Sequence, residues 1–428
     1  MDSEFPLAKY TSDFRSMVTT LLLTGLAFFY LQFMIPIIAD SVFEINTPQL
    51  GLIFSVHPIG YMISSPLAGI ITDRWSKKKL VLIGSIGRGV AYFVLYLALF
   101  LESYYLFVTG SFIIGFSVSF FWVPFNALLG NKSHKDHRAS ALGQRDFFLG
   151  ISIFLGALIG IAYSGFMDVY IPNSPLLIFA PIVFYGVTNI VGGFLFQGKV
   201  DESLEIKSPG TEDNSHEDLN LKKPKRIIFG FFILFIVLLL SSTNGSLASP
   251  FIIKYVQDVF SANMMVVGSV YIPAGVLNFI LAPKLGKLVD KLPPKYTILV
   301  TASLGAFLTY ALIQWGSQNI IVFAIILVFD MTIATIGGLT VQNYLSRISK
   351  KHRGKIFGMN AFFANLGGII GPILGGLAWQ FQGRTSPFII SIFVEISLIP
   401  LYWIAVISTQ SGLEEQYSII PNTDVHLS

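Results

Sequence analysis

The residues of this 428-residue chain best placed to do chemistry are five charges set inside apolar runs: Arg88, Arg145, Asp146, Asp330 and Glu395. A lone charge at bilayer depth costs about 2.5–3.5 kcal/mol on insertion scales, so each requires a partner or a task. A carboxyl in that setting, Asp330 above all, can take and release a proton. Other chemistries lack their residues. With no Cys there are no disulfides and no thiolate ligands or nucleophiles. The six His form no HExxH pair, and neither a GxSxG elbow nor a GxxxxGK[ST] phosphate loop occurs. Nothing suggests ATP drive, hydrolysis or a resident cofactor, and the sequence points away from an enzyme.

The elements that must position these charges follow from composition. Apolar residues make up 53% and charged residues only 12%, about half the charge a soluble domain uses to face water. The chain is a membrane protein on this ground alone. Twelve stretches are long enough to cross about 30 Å of hydrocarbon: 17–39, 48–71, 80–101, 104–129, 141–166, 176–197, 227–249, 264–285, 296–316, 319–345, 356–380 and 387–408. They are too long and too uniformly apolar for barrel strands, so the expected class is all-α and polytopic. The start, MDSEFPLAKYTSDFRS, lacks the basic stub of a cleaved signal.

With twelve spans, both termini and five alternate loops share one side. That side holds 24 of the 28 Lys and Arg; Lys254 and Arg384 lie opposite, and Arg88 and Arg145 lie within spans. The positive-inside rule makes the 24 cytoplasmic, which places the protein in the cell membrane with both termini inside. The basic balance is an insertion signal and not a nucleic-acid footprint.

The polar segment 198–226 divides the spans six and six. The expected organisation is a tail (1–16), a six-helix bundle (17–197), a linker (198–226), a second bundle (227–408) and a tail (409–428). The halves echo each other. Pro58 and Gly60 match Pro273 and Gly275; Gly69 and Asp73 match Gly286 and Asp290; Arg138, Gly143, Gly156 and Gly160 match Arg353, Gly358, Gly371 and Gly375. Such duplication is a hallmark of transporters that rock one half against the other.

Here the residues resemble the major facilitator superfamily (MFS). Its signature between helices two and three is Gly-x-x-x-Asp-Arg-x-Gly-Arg-Arg/Lys. GIITDRWSKKKL supplies Gly69, Asp73, Arg74, Lys77 and Lys78, with Ser76 in the place of the second Gly. GKLVDKLPPK is a weaker copy with Asp290. The resemblance implies a fold of two pseudo-symmetric six-helix bundles. It also implies a gating role for these residues, with Asp73 reaching the other half near the start of helix eleven. Arg138, in its own half, is a further expected partner for Asp73, alongside the bland reading of a solvated cluster that only sets topology.

Gly367, Gly371 and Gly375 recur every fourth residue on span 11, beside Pro372, and Ser152, Gly156 and Gly160 repeat the pattern on span 5. Small residues at that spacing let helix backbones touch, either as static packing or as a sliding seam between the halves. In this superfamily helices one, four, seven and ten line the cavity, which makes Asp330 the coupling candidate. Gln32, Trp122, Asn126 and Asn244 become the substrate-cavity candidates. Asn244, Gly245 and Pro250 predict irregular backbone on span 7. Arg88 on span 3, Glu395 on span 12 and His57 read as structural.

The reading is a secondary transporter of a small solute working by alternating access as a monomer in the lipid bilayer, without nucleic acid. H+ or Na+ would be the coupling ion. Proton-coupled export of hydrophobic compounds and nutrient uptake by symport or facilitation both remain open, as does a non-transporting receptor on the same scaffold.

Overall fold

The computed structural model describes residues 9–28, 30, 34–35, 38, 42–43, 47–171, 174–206, 225–261, 264–410 and 413–415. Gln32 lies outside them. Among the described residues the chain is helical, apart from one isolated bridge, Tyr10 to Ser133.

The first helix, α1, begins as two short turns, Phe14–Thr19 and Leu21–Thr24. The rest follow as α2 (Thr47–Arg74), α3 (Lys77–Phe100), α4 (Tyr104–Asn131) and α5 (Arg138–Tyr170). Helix α6 has a short lead, Pro175–Ile178, and a main run, Pro181–Lys199. The second half supplies α7 (Lys225–Phe260), α8 (Met264–Lys291), α9 (Pro294–Gln314), α10 (Ile320–Ile348), α11 (Arg353–Gln382) and α12 (Ser386–Thr409). Nine of these, among the described residues, are long and apolar enough to cross a membrane. Helices α2 and α8 also reach across the halves, α2 packing on α11 and α8 on α5. Large apolar side chains stand exposed on other helices, as Phe229, Phe307, Phe329 and Phe393 do. That is the surface a bilayer covers.

Within the halves the contacts repeat: α3 packs on α4 and α6 as α9 packs on α10 and α12. The glycine stripes belong to this internal packing, which corrects the seam reading. A Cβ on Gly156 would fall 1.9 Å from the Leu26 carbonyl oxygen of α1. On Gly367, Gly371 and Gly375 it would come within 2.6 Å of α7, and on Gly160 it would meet Tyr185 and Tyr30. Pro372 sits half-buried within α11. The stripes therefore join α1 to α5 and α7 to α11, each inside one half.

The same packing removes another expectation. Helix α7 runs unbroken from Lys225 to Phe260, through Asn244 and Gly245, because α11 braces it. The Ser246 hydroxyl donates to the Gly367 carbonyl across the contact at 2.9 Å. Helix α1 breaks instead. At Gly25 the Phe28 N–H turns back to the Gly25 carbonyl at 3.2 Å, and this leaves the Thr24 carbonyl without its usual helical donor.

Gly375→Leu is expected to lower the unfolding temperature of purified protein sharply. The new side chain must displace α7 backbone, and overpacking a close core contact costs about 1–3 kcal/mol or more. Gly368→Leu, at a position where a Cβ meets nothing within 4 Å, is the control and should change the temperature little.

Candidate functional site

The face that carries most of the Lys and Arg is where the halves are tied. At the end of α2, Asp73 accepts N–H bonds from Gly354 at 2.7 Å and Lys355 at 3.1 Å. These are amides of the first turn of α11, which have no partner within their own helix. The copy behaves alike. Asp290, ending α8, accepts the Ala139 and Ser140 amides of α5 at 2.8 and 2.9 Å, and the Ser140 hydroxyl as well. Negative charge is favoured at a helix N-terminus by the aligned peptide dipoles. Each aspartate can seat only because the backbones come close. A Cβ on Gly69 would lie 2.8 Å from the Gly354 oxygen, and one on Gly286 would lie 2.3 Å from the Ala139 oxygen.

Arg138 is not the partner of Asp73. It begins α5 fully buried and ion-pairs with Glu415, a residue of the C-terminal tail. Its counterpart Arg353 begins α11 and holds the same carboxylate at 2.7 Å. Arg353 also donates to the Ser346 carbonyl at 2.9 Å and to the Asn131 side-chain oxygen of the first half. One carboxylate thus joins an arginine from each half. The expected pairing fails because the α11 amides already fill the Asp73 oxygens, while the guanidinium points under the tail. Burial by itself would raise the Glu415 pKa, but Arg138 and Arg353 outweigh it and hold the carboxyl at about 2.

Arg74 is exposed, while the Lys77 and Lys78 amides point to the Glu202 carboxylate at 2.8 and 3.5 Å and the Lys77 ammonium ion-pairs with it at 3.9 Å. Ser76, which stands where the signature has Gly, caps α3 by accepting the Lys79 N–H and donates to Glu202 at 2.5 Å. Its φ of −60° makes no demand for glycine.

Two cavities of about 540 Å³ each lie deeper. The first sits in the N-terminal half and brings together Trp122 and Asn126 with His57, Arg88 and Arg145. Asn126 is engaged there, accepting from Arg145 at 2.7 Å, and Arg145 is paired with Asp146 at 2.6 Å. The second sits in the C-terminal half and brings Asn244 and Asp330 together with Glu395. The Asn244 amide donates to Glu395 at 3.2 Å. Glu395 therefore faces this cavity and is bonded to α7, an interhelical contact of the kind a structural role requires. Gln342 and Asn360 line both cavities, so the two lobes abut there. The ionisable groups sort by lobe, arginines on one side and carboxyls on the other.

Residues 17–372 match the family model described as Major Facilitator Superfamily. The chain belongs to that superfamily. Multidrug resistance protein 2 of Bacillus subtilis (strain 168) is 23% identical over 378 residues, 86% of this chain and 90% of that protein. Multidrug resistance protein MdtG of Escherichia coli O17:K52:H18 is 26% identical over 385 residues, 86% and 88% of the two chains. Among solved structures, a bacterial homologue of the iron transporter ferroportin in an outward-facing state superposes with a TM-score of 0.72 at 13% identity, covering 93% of this chain and 99% of that one. The MFS transporter FucP in the outward conformation gives 0.70 at 16%, covering 94% and 100%. The protein is a multi-pass secondary transporter of two six-helix bundles.

The Glu415 tie has a definite pH range. A carboxyl lowered to about 2 contributes stability that is complete above the ordinary value near 4.5 and is lost as pH falls through 2. Amide exchange at the first turns of α5 and α11, corrected for intrinsic rates, should be equally protected at pH 8 and pH 5. Glu415→Gln should raise exchange at both turns. A loss of protection between pH 8 and 5 in the native chain would contradict the assignment.

Proposed function

We propose that the basic face is cytoplasmic, that both termini lie there, and that the conformation described is the outward-facing member of an alternating-access pair within a single chain. The observation that carries this reading is the pair of inter-half joints made by Asp73 and Asp290. Both tie the halves on one side of the cavities, and both consist of hydrogen bonds that can break without unfolding a helix. Each bundle would turn as a unit, braced by its own glycine contacts, while these joints open and close.

The solute we infer is an amphipathic organic compound moved outward in exchange for protons. Relatives named for multidrug resistance align over most of their length, and the first cavity offers aromatic walls that include Tyr61, Tyr92, Trp122 and Phe357. Asp330 and Glu395 would carry the proton, since they share a cavity with no lysine or arginine among its described lining residues. A charge crossing 100 mV gains about 2.3 kcal/mol, enough for roughly fiftyfold accumulation.

Flux in proteoliposomes under an imposed pH gradient tests the reading. Asp330→Asn should abolish gradient-driven accumulation while solute exchange persists, and Asp73→Asn should slow both by about tenfold while the protein remains folded. Undiminished accumulation by Asp330→Asn would move coupling elsewhere. Uptake that runs with the proton gradient in place of exchange would favour nutrient symport.

A further inference from the structure

The first cavity holds a charge that its own walls do not neutralise. Arg88 is only 5% exposed. Its Nη2 donates to the Thr24 carbonyl freed by the break in α1, and the Phe121 ring centroid lies 5.2 Å from its guanidinium carbon. Nε and Nη1 are buried and have no hydrogen-bond partner. Among the described residues lining this cavity there is no Asp or Glu. The other cation present, Arg145, is already matched to Asp146 and Asn126.

Capping one carbonyl needs a single neutral donor. A permanently charged side chain with spare donors is a costly way to supply it at this depth, because buried donors and unpaired charge are both penalised. An anion placed against Nε and Nη1 would remove both penalties at once, through charge-assisted hydrogen bonds. The rest of the lobe is apolar and aromatic. Across the junction at Gln342 and Asn360, the described lining of the other lobe has Asp330 and Glu395 and no lysine or arginine, so the cations that suit an anion are on this side.

We propose that the solute is an amphipathic organic anion, its carboxylate, sulfonate or phosphate group seated on Arg88 and its apolar body against Tyr61, Tyr92, Trp122 and Phe357. The proposal rests on the transport reading and gives it a substrate class.

The test uses a matched pair of probes, 2-naphthoate and 2-naphthyltrimethylammonium, which share a ring system and differ in the sign of charge. Calorimetric titration of the purified full-length protein should show naphthoate binding at least tenfold more tightly than the cation. Arg88→Gln should weaken naphthoate at least tenfold and leave the cation unchanged or tighter, while Arg88→Lys, which keeps the charge, should lose less. Equal or tighter binding of the cation by the native chain overturns the proposal without any variant. So does naphthoate binding that is undiminished in a monodisperse Arg88→Gln protein, or absent at millimolar probe. Proteoliposome flux of both probes separates the two levels. Flux of the cation alone would keep the transporter and discard the anion, whereas flux of neither, with naphthoate bound, would keep the site and discard transport of this class.

Discussion

Two carboxylates seated on the first-turn amides of helices from the opposite half are the contacts on which the arrangement depends. Each answers two needs with one group: the first turn of α5 or α11 has N–H groups that its own helix cannot satisfy, and the end of α8 or α2 has a charge that must not stay bare near lipid. Hydrogen bonds to a charged group contribute about 1.5–3 kcal/mol each, net of water. A few of them hold the halves together firmly, yet a transporter can still let go of them. Backbone approach at Gly69 and Gly286 is the steric condition for both. The duplication supplies the two-fold relation that makes the joints equivalent, and Glu415 adds a third tie between the matched arginines.

Close glycine contacts occur both within and between the halves. Inside each half, α1 meets α5 and α7 meets α11 through glycines whose Cβ would overlap the neighbouring backbone, and glycines bring α2 onto α11 and α8 onto α5 between the halves as closely. Between the halves, polar joints dominate the basic face, and the cavities lie where the bundles diverge. The charges then sort by lobe, with Arg88 and Arg145 in one and Asp330 and Glu395 in the other. Solute contact and proton handling can thereby occupy different walls of the same central space, meeting at Gln342 and Asn360.

Much of this was legible in the sequence. Hydropathy alone places the spans, because a bilayer imposes both length and apolarity. The repeat of about 215 residues predicts that Asp73 and Asp290, or Arg138 and Arg353, do matching work, and matched contacts are what the fold displays. Other features had no local signal. Spacing shows that one face of α11 is small but not which helix meets it, so packing inside a half and a seam between halves both stayed open. Glu415 sits in a polar tail whose sequence carries no mark of the two arginines it joins. Glu395 and Arg88 read as scaffold because a lone charge in an apolar run says nothing about the direction of its side chain. The break in α1 at Gly25 shows how a backbone feature decides a side chain's partner: it frees the Thr24 carbonyl that Arg88 takes.

The central claim is that the aspartate joints hold the basic face closed. Pulsed electron-electron resonance tests it on a chain labelled at Lys79 and Lys351 on that face, and on another labelled at Tyr105 and Gln318 on the opposite face; all four are exposed. The account predicts that Asp73→Ala with Asp290→Ala lengthens and broadens the Lys79–Lys351 distances while shortening the Tyr105–Gln318 distances. Distributions unchanged at both faces in the folded double variant would contradict it.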